Sequence, residues 1–167
     1  ALLEHYAGGE AVKRVDASQS AEAVWALARA LVTGEAVATP AVKAAGPTKT
    51  LEKAVSVVGP PGSGTAACCA LLAKELGWEH VSPGELHREE MKREGSAEAV
   101  AITEAVGAGK VVPTEVTVAL VARAVKAAGE GSGVVLDAFP STAAEASALE
   151  AALGAPRVVV HLDLSRP

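Results

Sequence analysis

Asparagine is absent from this chain, Ile102 is its only isoleucine, and aromatic residues make up 2% of it. The hydrophobic 50% is therefore carried mostly by alanine and valine, and a core of such small residues depends on close backbone packing. The bias fits a GC-rich coding sequence better than a structural need. No apolar run approaches the roughly 18 residues of a membrane-crossing helix. Residues 1–7 contain Glu4 and His5 behind no cationic start, so no leader is read there. Basic excess is lacking too. Fifteen Lys and Arg against 20 Asp and Glu leave a formal charge of -5, which argues against the clustered cations of a nucleic-acid footprint. The two cysteines, Cys68 and Cys69, are adjacent, a poor geometry for a disulfide and no spacing for a metal site. These absences predict a protein of the reducing cytoplasm, with no metal ligands and neither membrane nor nucleic acid as partner. A mean hydropathy of +0.28 excludes disorder, and 167 residues suit one domain.

What is present reads as strands alternating with helices. Ala11–Val15 is a short strand candidate. Asp16, Ser18 and Ser20 offer N-caps to a helix over Ala21–Val32, with Val24, Leu27, Ala28 and Leu31 on one face. Thr33–Lys53 loses all period among glycine, proline, threonine and lysine and reads as a linker. Ala54–Val58 (AVSVV) is an apolar run bounded by glycine and proline, the mark of a strand buried on both faces. Helices follow over Ala66–Leu76, from Pro83 to near Gly95, and over Ser96–Val106, Thr114–Ala128 and Thr142–Leu153. Short strands fall at His80–Val81, Val134–Leu136 and Arg157–Leu164. The alternation predicts an α/β fold, a mostly parallel sheet covered by helices on both faces.

Between AVSVV and the next helix stands Gly59-Pro60-Pro61-Gly62-Ser63-Gly64. A glycine-rich loop in this position turns backbone N–H groups inward to cradle a phosphate, and the helix behind it aims its positive end at the anion. A working loop of this kind continues with lysine and a hydroxyl that holds Mg²⁺. Here Thr65 takes the lysine position and Ala66 and Ala67 follow. Loss of a group acting on the transition state costs about 2.7–4 kcal/mol, two to three decades in rate.

Four segments in order now resemble the adenylate kinase family of P-loop nucleoside monophosphate kinases. They are Gly59 to Cys68 (GPPGSGTAAC), Ser82 to Arg88 (SPGELHR), Gly109 to Glu115 (GKVVPTE) and Asp137 to Ser141 (DAFPS). The resemblance implies that Gly59, Gly62, Ser63, Gly64 and Gly84 shape nucleotide-binding loops. It implies that Arg88 grips the monophosphate, that Val112 offers a backbone contact to adenine, and that Asp137 lies near Mg²⁺ and its waters. The departures fall at the reactive centre: Thr65 for the loop lysine, Ala67 for the loop threonine, Ser141 for a phosphate-binding arginine, and Glu145 for the glutamine that reads the base. On this reading the catalytic groups are lost at Thr65, Ala67 and Ser141 and the remaining site is vestigial. Residues 5–25 resemble the family's last strand and final helix, while residues 54–164 resemble its first part without the lid. The order along the chain is thus a C-terminal piece at 1–33, a linker at 34–53 and an N-terminal P-loop body at 54–167. It fits either the junction of tandem repeats or a fold-back in which 1–33 closes the body.

Blander readings stand beside these. Cys68 and Cys69 are small residues packing a first helical turn. Glu89 and Glu90, with Arg88, Lys92 and Arg93, form a solvated helix face. Trp25 and Trp78 serve packing. His80, His87 and His161 show no metal-ligand spacing, and Asp163 is one acid at a strand end among many. The expectation is a catalytically inactive module in a larger assembly, with other protein subunits as partners and no cofactor required. By family analogy an axonemal setting in cilia or flagella is included. The alternative is an active or weakly active kinase moving phosphoryl from ATP to AMP with Mg²⁺, or a nucleotide sensor without turnover.

Overall fold

In the computed structural model, residues 12–17, 20–34, 50–129 and 132–163 are described. Ala11, Ser18, Leu164 and residues 35–49 of the expected linker lie outside the described residues. The elements are β1 (Val12–Asp16), α1 (Ala21–Thr33), β2 (Thr50–Val58), α2 (Thr65–Leu76), β3 (Glu79–Val81), α3 (Pro83–Glu90), α4 (Ala97–Gly107), α5 (Thr114–Ala127), β4 (Val134–Asp137), α6 (Ala143–Ala152) and β5 (Ala155–Asp163). All strand pairs are parallel, in the order β1-β5-β2-β4-β3. The α/β expectation holds. Among the described residues no helix is long and apolar enough to cross a membrane.

Alternation along β2 sends successive side chains to opposite faces. Val55 and Val57 join Leu72, Cys69 and Leu162 on the face covered by α1 and α2. Ala54 joins Val121, Leu136, Phe139 and Leu149 on the face covered by α5 and α6. Both faces are dry, which is why AVSVV is an unbroken apolar run. The single phenylalanine is 2% exposed and belongs to this second cluster.

β1 pairs with β5, Val12 opposite Val159 through Asp16 opposite Asp163, and so lies one strand away from β2. Behind it, Ser20 caps α1 by accepting from the Ala23 N–H at 3.3 Å, and Gly34, at φ 82°, ends it in the left-handed region. Val24 and Ala28 of α1 pack into the same cluster as Cys68 and Leu72 of α2. Arg29 and Glu75 bridge the two helices at 3.8 Å.

Most boundaries fall within one or two residues of expectation, and two differ by more. β2 begins at Thr50, inside the stretch read as linker, and its start pairs with β5 (Thr50 with Ala155, Leu51 with Pro156). The exposed Glu52 and Lys53 interrupt the apolar run that would have announced it. Helix α3 ends at Glu90 rather than near Gly95. Ser96, which caps α4, donates its hydroxyl to Glu90 Oε1 at 2.6 Å. The chain must turn back within those few residues, and it does so through i,i+3 bonds from Lys92 and Arg93 N–H.

Candidate functional site

Parallel sheets gather ligands at the carboxyl ends of their strands, where neighbouring connections part to opposite faces. That edge here carries the Gly59–Gly64 loop after β2, Ser82 after β3 and Asp137 at the end of β4. In the loop, Gly62 and Gly64 take φ values of 89° and 80°, which an L-residue with a side chain adopts only under strain. The Ser63 N–H donates to the Pro60 carbonyl at 3.0 Å, and the Cys68 N–H to the Gly64 carbonyl at 3.0 Å, opening α2. Gly59 is fixed by contact: a Cβ there would stand 2.4 Å from Ser63 Oγ and 2.8 Å from the Leu162 carbonyl. Ser63 is 7% exposed, and among the described residues its Oγ has no hydrogen-bond partner. The loop thus offers a buried, unsatisfied hydroxyl at the positive end of a twelve-residue helix.

A cleft of about 510 Å³ opens beside the loop. It brings together Gly84, Val112 and Asp137 with three of the four departures, Thr65, Ser141 and Glu145. A smaller cavity of about 180 Å³ takes Gly62, Ser63, Gly64 and Ala67 against Ala17 and Trp25 of the β1–α1 connection and helix. Arg88 lines neither. Its side chain is 66% exposed and stands 4.0 Å from Glu85 Oε1. Beyond Asp137, the Ala138 N–H donates to the Val57 carbonyl at 2.8 Å, Ala138 has φ 51°, and the Phe139–Pro140 peptide is cis. The buried Ser56 hydroxyl donates to the Phe139 carbonyl, tying this turn to β2.

Two of the departures, Ser141 and Glu145, bond to each other. Glu145 Oε2 accepts from the Ser141 N–H at 2.8 Å and the Ser141 hydroxyl at 2.7 Å, and completes a capping box with Thr142. It acts there as a helix cap, not as a free reader of a base. Mg²⁺ binds through one or two carboxylates together with substrate phosphates. The donors here fit it poorly. Ala67 has no oxygen to offer, Glu145 is engaged, and Asp137 Oδ2 lies 3.4 Å from His80 Nε2.

Several side chains singled out by sequence are placed clearly. Cys68 and Cys69 are buried, as packing residues should be. Burial first, then the Asp137 carboxylate, raises the Cys68 thiol to about 11, and the same causes push the Cys69 thiol up further. Trp78 packs on the backbone at Gly133, and the Arg29 guanidinium lies 5.9 Å over the Trp25 ring. Glu90 corrects the reading of a solvated face: it is 4% exposed. It accepts from Ser96 and Arg123 and stands 3.8 Å from Arg93. The Ser96 hydroxyl first, and the arginines with it, hold its carboxyl below the usual range. His87 Nε2 meets Thr117 Oγ1 at 3.0 Å, and burial lowers its pKa. Sequence reasoning missed one further grouping. Cys69, His80 and Asp137 each place a ligand atom within 4.8 Å of the others, although 11 and 57 residues of chain separate them in turn.

A family profile described as adenylate kinase matches residues 57–166. The chain belongs to the adenylate kinase family. Its relatives include UMP-CMP kinase 2 of Caenorhabditis elegans, 40% identical over 90 residues that cover 54% of this chain and 47% of that protein. The adenylate kinase of Desulforudis audaxviator (strain MP104C) is 37% identical over 97 residues, 58% of this chain and 45% of its own length. A UMP-CMP kinase of Prunus armeniaca is 36% identical over 108 residues, 64% and 46% respectively. The chain thus spans about half the length of the curated relatives it matches.

Proposed function

We propose that this adenylate kinase family chain is a nucleotide-binding module. Its loop takes a phosphate through backbone N–H groups, and it transfers phosphoryl from ATP to a nucleoside monophosphate slowly. The observation that carries the reading is the loop itself. Its left-handed glycines and the buried, unpartnered Ser63 hydroxyl stand at the start of α2 and beside the cleft. A phosphate oxygen seated there would satisfy both the hydroxyl and the orphan N–H groups of the helix. Gly84 leaves room for an acceptor phosphate, and Val112 supplies backbone at the cleft wall for a base. AMP is the acceptor the resemblance implies. The names of the relatives make UMP and CMP the natural competitors in a test.

The rate is limited by what the loop lacks. Thr65 carries no cation, so the negative charge that spreads over the transferred group meets only backbone dipoles. That deficit is about 2.7–4 kcal/mol, or two to three decades. With Ala67 lacking a hydroxyl, no step through Mg²⁺ follows from this chain's own donors. A second reading, a structural module held by partner subunits and including an axonemal setting, is favoured by the same Thr65, Ala67 and Ser141 exchanges. Titration of ATP, AMP, UMP and CMP, with an assay of nucleoside diphosphate formation, separates the two. Saturable binding with slow turnover supports the first reading. No binding to any of the four overturns it and leaves the structural one. The Thr65→Lys, Ala67→Thr, Ser141→Arg triple variant should gain two or more decades of turnover, and no gain would count against a retained site.

A further inference from the structure

Cys69 lies on α2, His80 on the edge strand β3 and Asp137 at the carboxyl end of β4. The parallel pairing of β3 with β4 sets His80 opposite Val135, two residues before Asp137. Helix α2 packs over the same strand with the Cys69 sulfur 4.0 Å from the Leu136 carbonyl. Sulfur, ring nitrogen and carboxylate oxygen therefore converge within 4.8 Å of one another. We propose that Cys69, His80 and Asp137 form a three-ligand site for a divalent transition metal of the zinc class, separate from the loop that takes phosphate.

Donor chemistry sets the class. Thiolate with imidazole and a single carboxylate suits zinc or its spectroscopic substitute cobalt, whereas Mg²⁺ and Ca²⁺ ask for oxygen shells. Distances agree with it. Tetrahedral zinc with bonds of about 2.0–2.3 Å holds its ligand atoms about 3.3–3.6 Å apart, and His80 Nε2 already stands 3.4 Å from Asp137 Oδ2. From within 4.8 Å the buried sulfur has to approach by roughly 1.2–1.5 Å at most to reach that spacing, a change of rotamer size. Charge agrees as well: one thiolate and one carboxylate balance a divalent cation, so the filled site buries no net charge. The path in is short. His80 lines an open groove of about 380 Å³ along β3, whose acids Glu79, Glu85 and Glu89 favour cations. Asp137 faces the cleft, so the fourth position is open to water or a ligand oxygen. Binding forms the metal–sulfur bond and breaks the Cys69 S–H bond, and the proton leaves to solvent.

Cobalt(II) chloride titrated into the reduced full chain without nucleotide tests this. The expected result is one equivalent bound, with thiolate-to-cobalt charge-transfer absorption and the intense visible bands of a tetrahedral site, both displaced by zinc. Cys69→Ala should abolish the charge-transfer band. His80→Gln, on a half-exposed edge position, should weaken binding by about tenfold or more, and Cys68→Ala should retain both. If Cys69→Ala fails to fold, His80→Gln and the thermal shift of the wild-type chain on adding zinc still decide. Absence of a thiolate band in the wild-type chain overturns the proposal. So does a band that survives Cys69→Ala or disappears with Cys68→Ala. None of these readouts depends on nucleotide binding, so the site can fail without the loop reading failing.

Discussion

Gly59→Ala tests whether the loop is held as tightly as the structure draws it. The new methyl would stand 2.4 Å from Ser63 Oγ and 2.8 Å from the Leu162 carbonyl. The hydroxyl can rotate, but the carbonyl belongs to the backbone of β5 and cannot. Overpacking of this kind costs about 1–3 kcal/mol, against about 0.4–1 kcal/mol gained because alanine restricts the unfolded chain. The net expectation is a loss of about 1–2 kcal/mol, read as a lower urea midpoint at unchanged slope. At about 2–4 °C per kcal/mol for a chain of this size, Tm should fall by roughly 2–8 °C. Adding Ser63→Ala removes the closer contact and leaves the carbonyl, so the double variant should recover part of the loss, with coupling of at least about 0.5 kcal/mol. Gly62→Ala is the comparison. Nothing lies within 4 Å of its added methyl, yet its φ is 89°, and left-handed strain alone should cost about 1–2 kcal/mol with no rescue by Ser63→Ala. A Gly59→Ala chain within about 0.3 kcal/mol of wild type would refute the close approach, and with it the buried position of the Ser63 hydroxyl.

Other outcomes follow from the same contacts. Glu90→Gln should destabilise by roughly 1.5 kcal/mol, the low end for a charged hydrogen bond because Arg123 and Arg93 reach it from solvent. The folded carboxyl is held below its ordinary value, so its contribution is present above about pH 4.3 and fades as pH falls through the folded value. Urea midpoints of the variant should therefore show a shallower acid limb. His87 and His161 are lowered by burial, so the unfolded state takes up protons first. Stability should be full above about pH 6.5 and decline as pH falls below it, and His87→Gln should flatten that decline. A wild-type midpoint that rises between pH 6.5 and 5 would contradict both shifts. Ala28→Leu, at a position 0% exposed between α1 and α2, should cost about 1–3 kcal/mol in thermal denaturation. Unchanged stability would mean that α1 does not seat on α2.

The α/β class and the glycine loop between β2 and α2 were legible because each rests on local pattern: an apolar five-residue run, then glycines where backbone must turn, then a helix. Gly84, Val112 and Asp137 were legible as motif positions, and the fold gathers them in one cleft with Thr65 and Ser141. Contacts between distant segments were not legible. Glu90 reads as one charge in a charged helix until Arg123, 33 residues on, folds over it. Arg88, expected to grip a phosphate, points to solvent beside Glu85 of its own helical turn. Glu145, expected at the place of a base-reading group, spends its carboxylate on the Ser141 hydroxyl and N–H and on the Thr142 N–H. The serine at 141 and the capping role of Glu145 therefore belong together. A short hydroxyl at 141 lets the carboxylate close the helix start, whereas an arginine reaching for phosphate would draw it away. Ser141→Arg alone should thus weaken the α6 cap and lower Tm, and a variant as stable as wild type would refute the coupling.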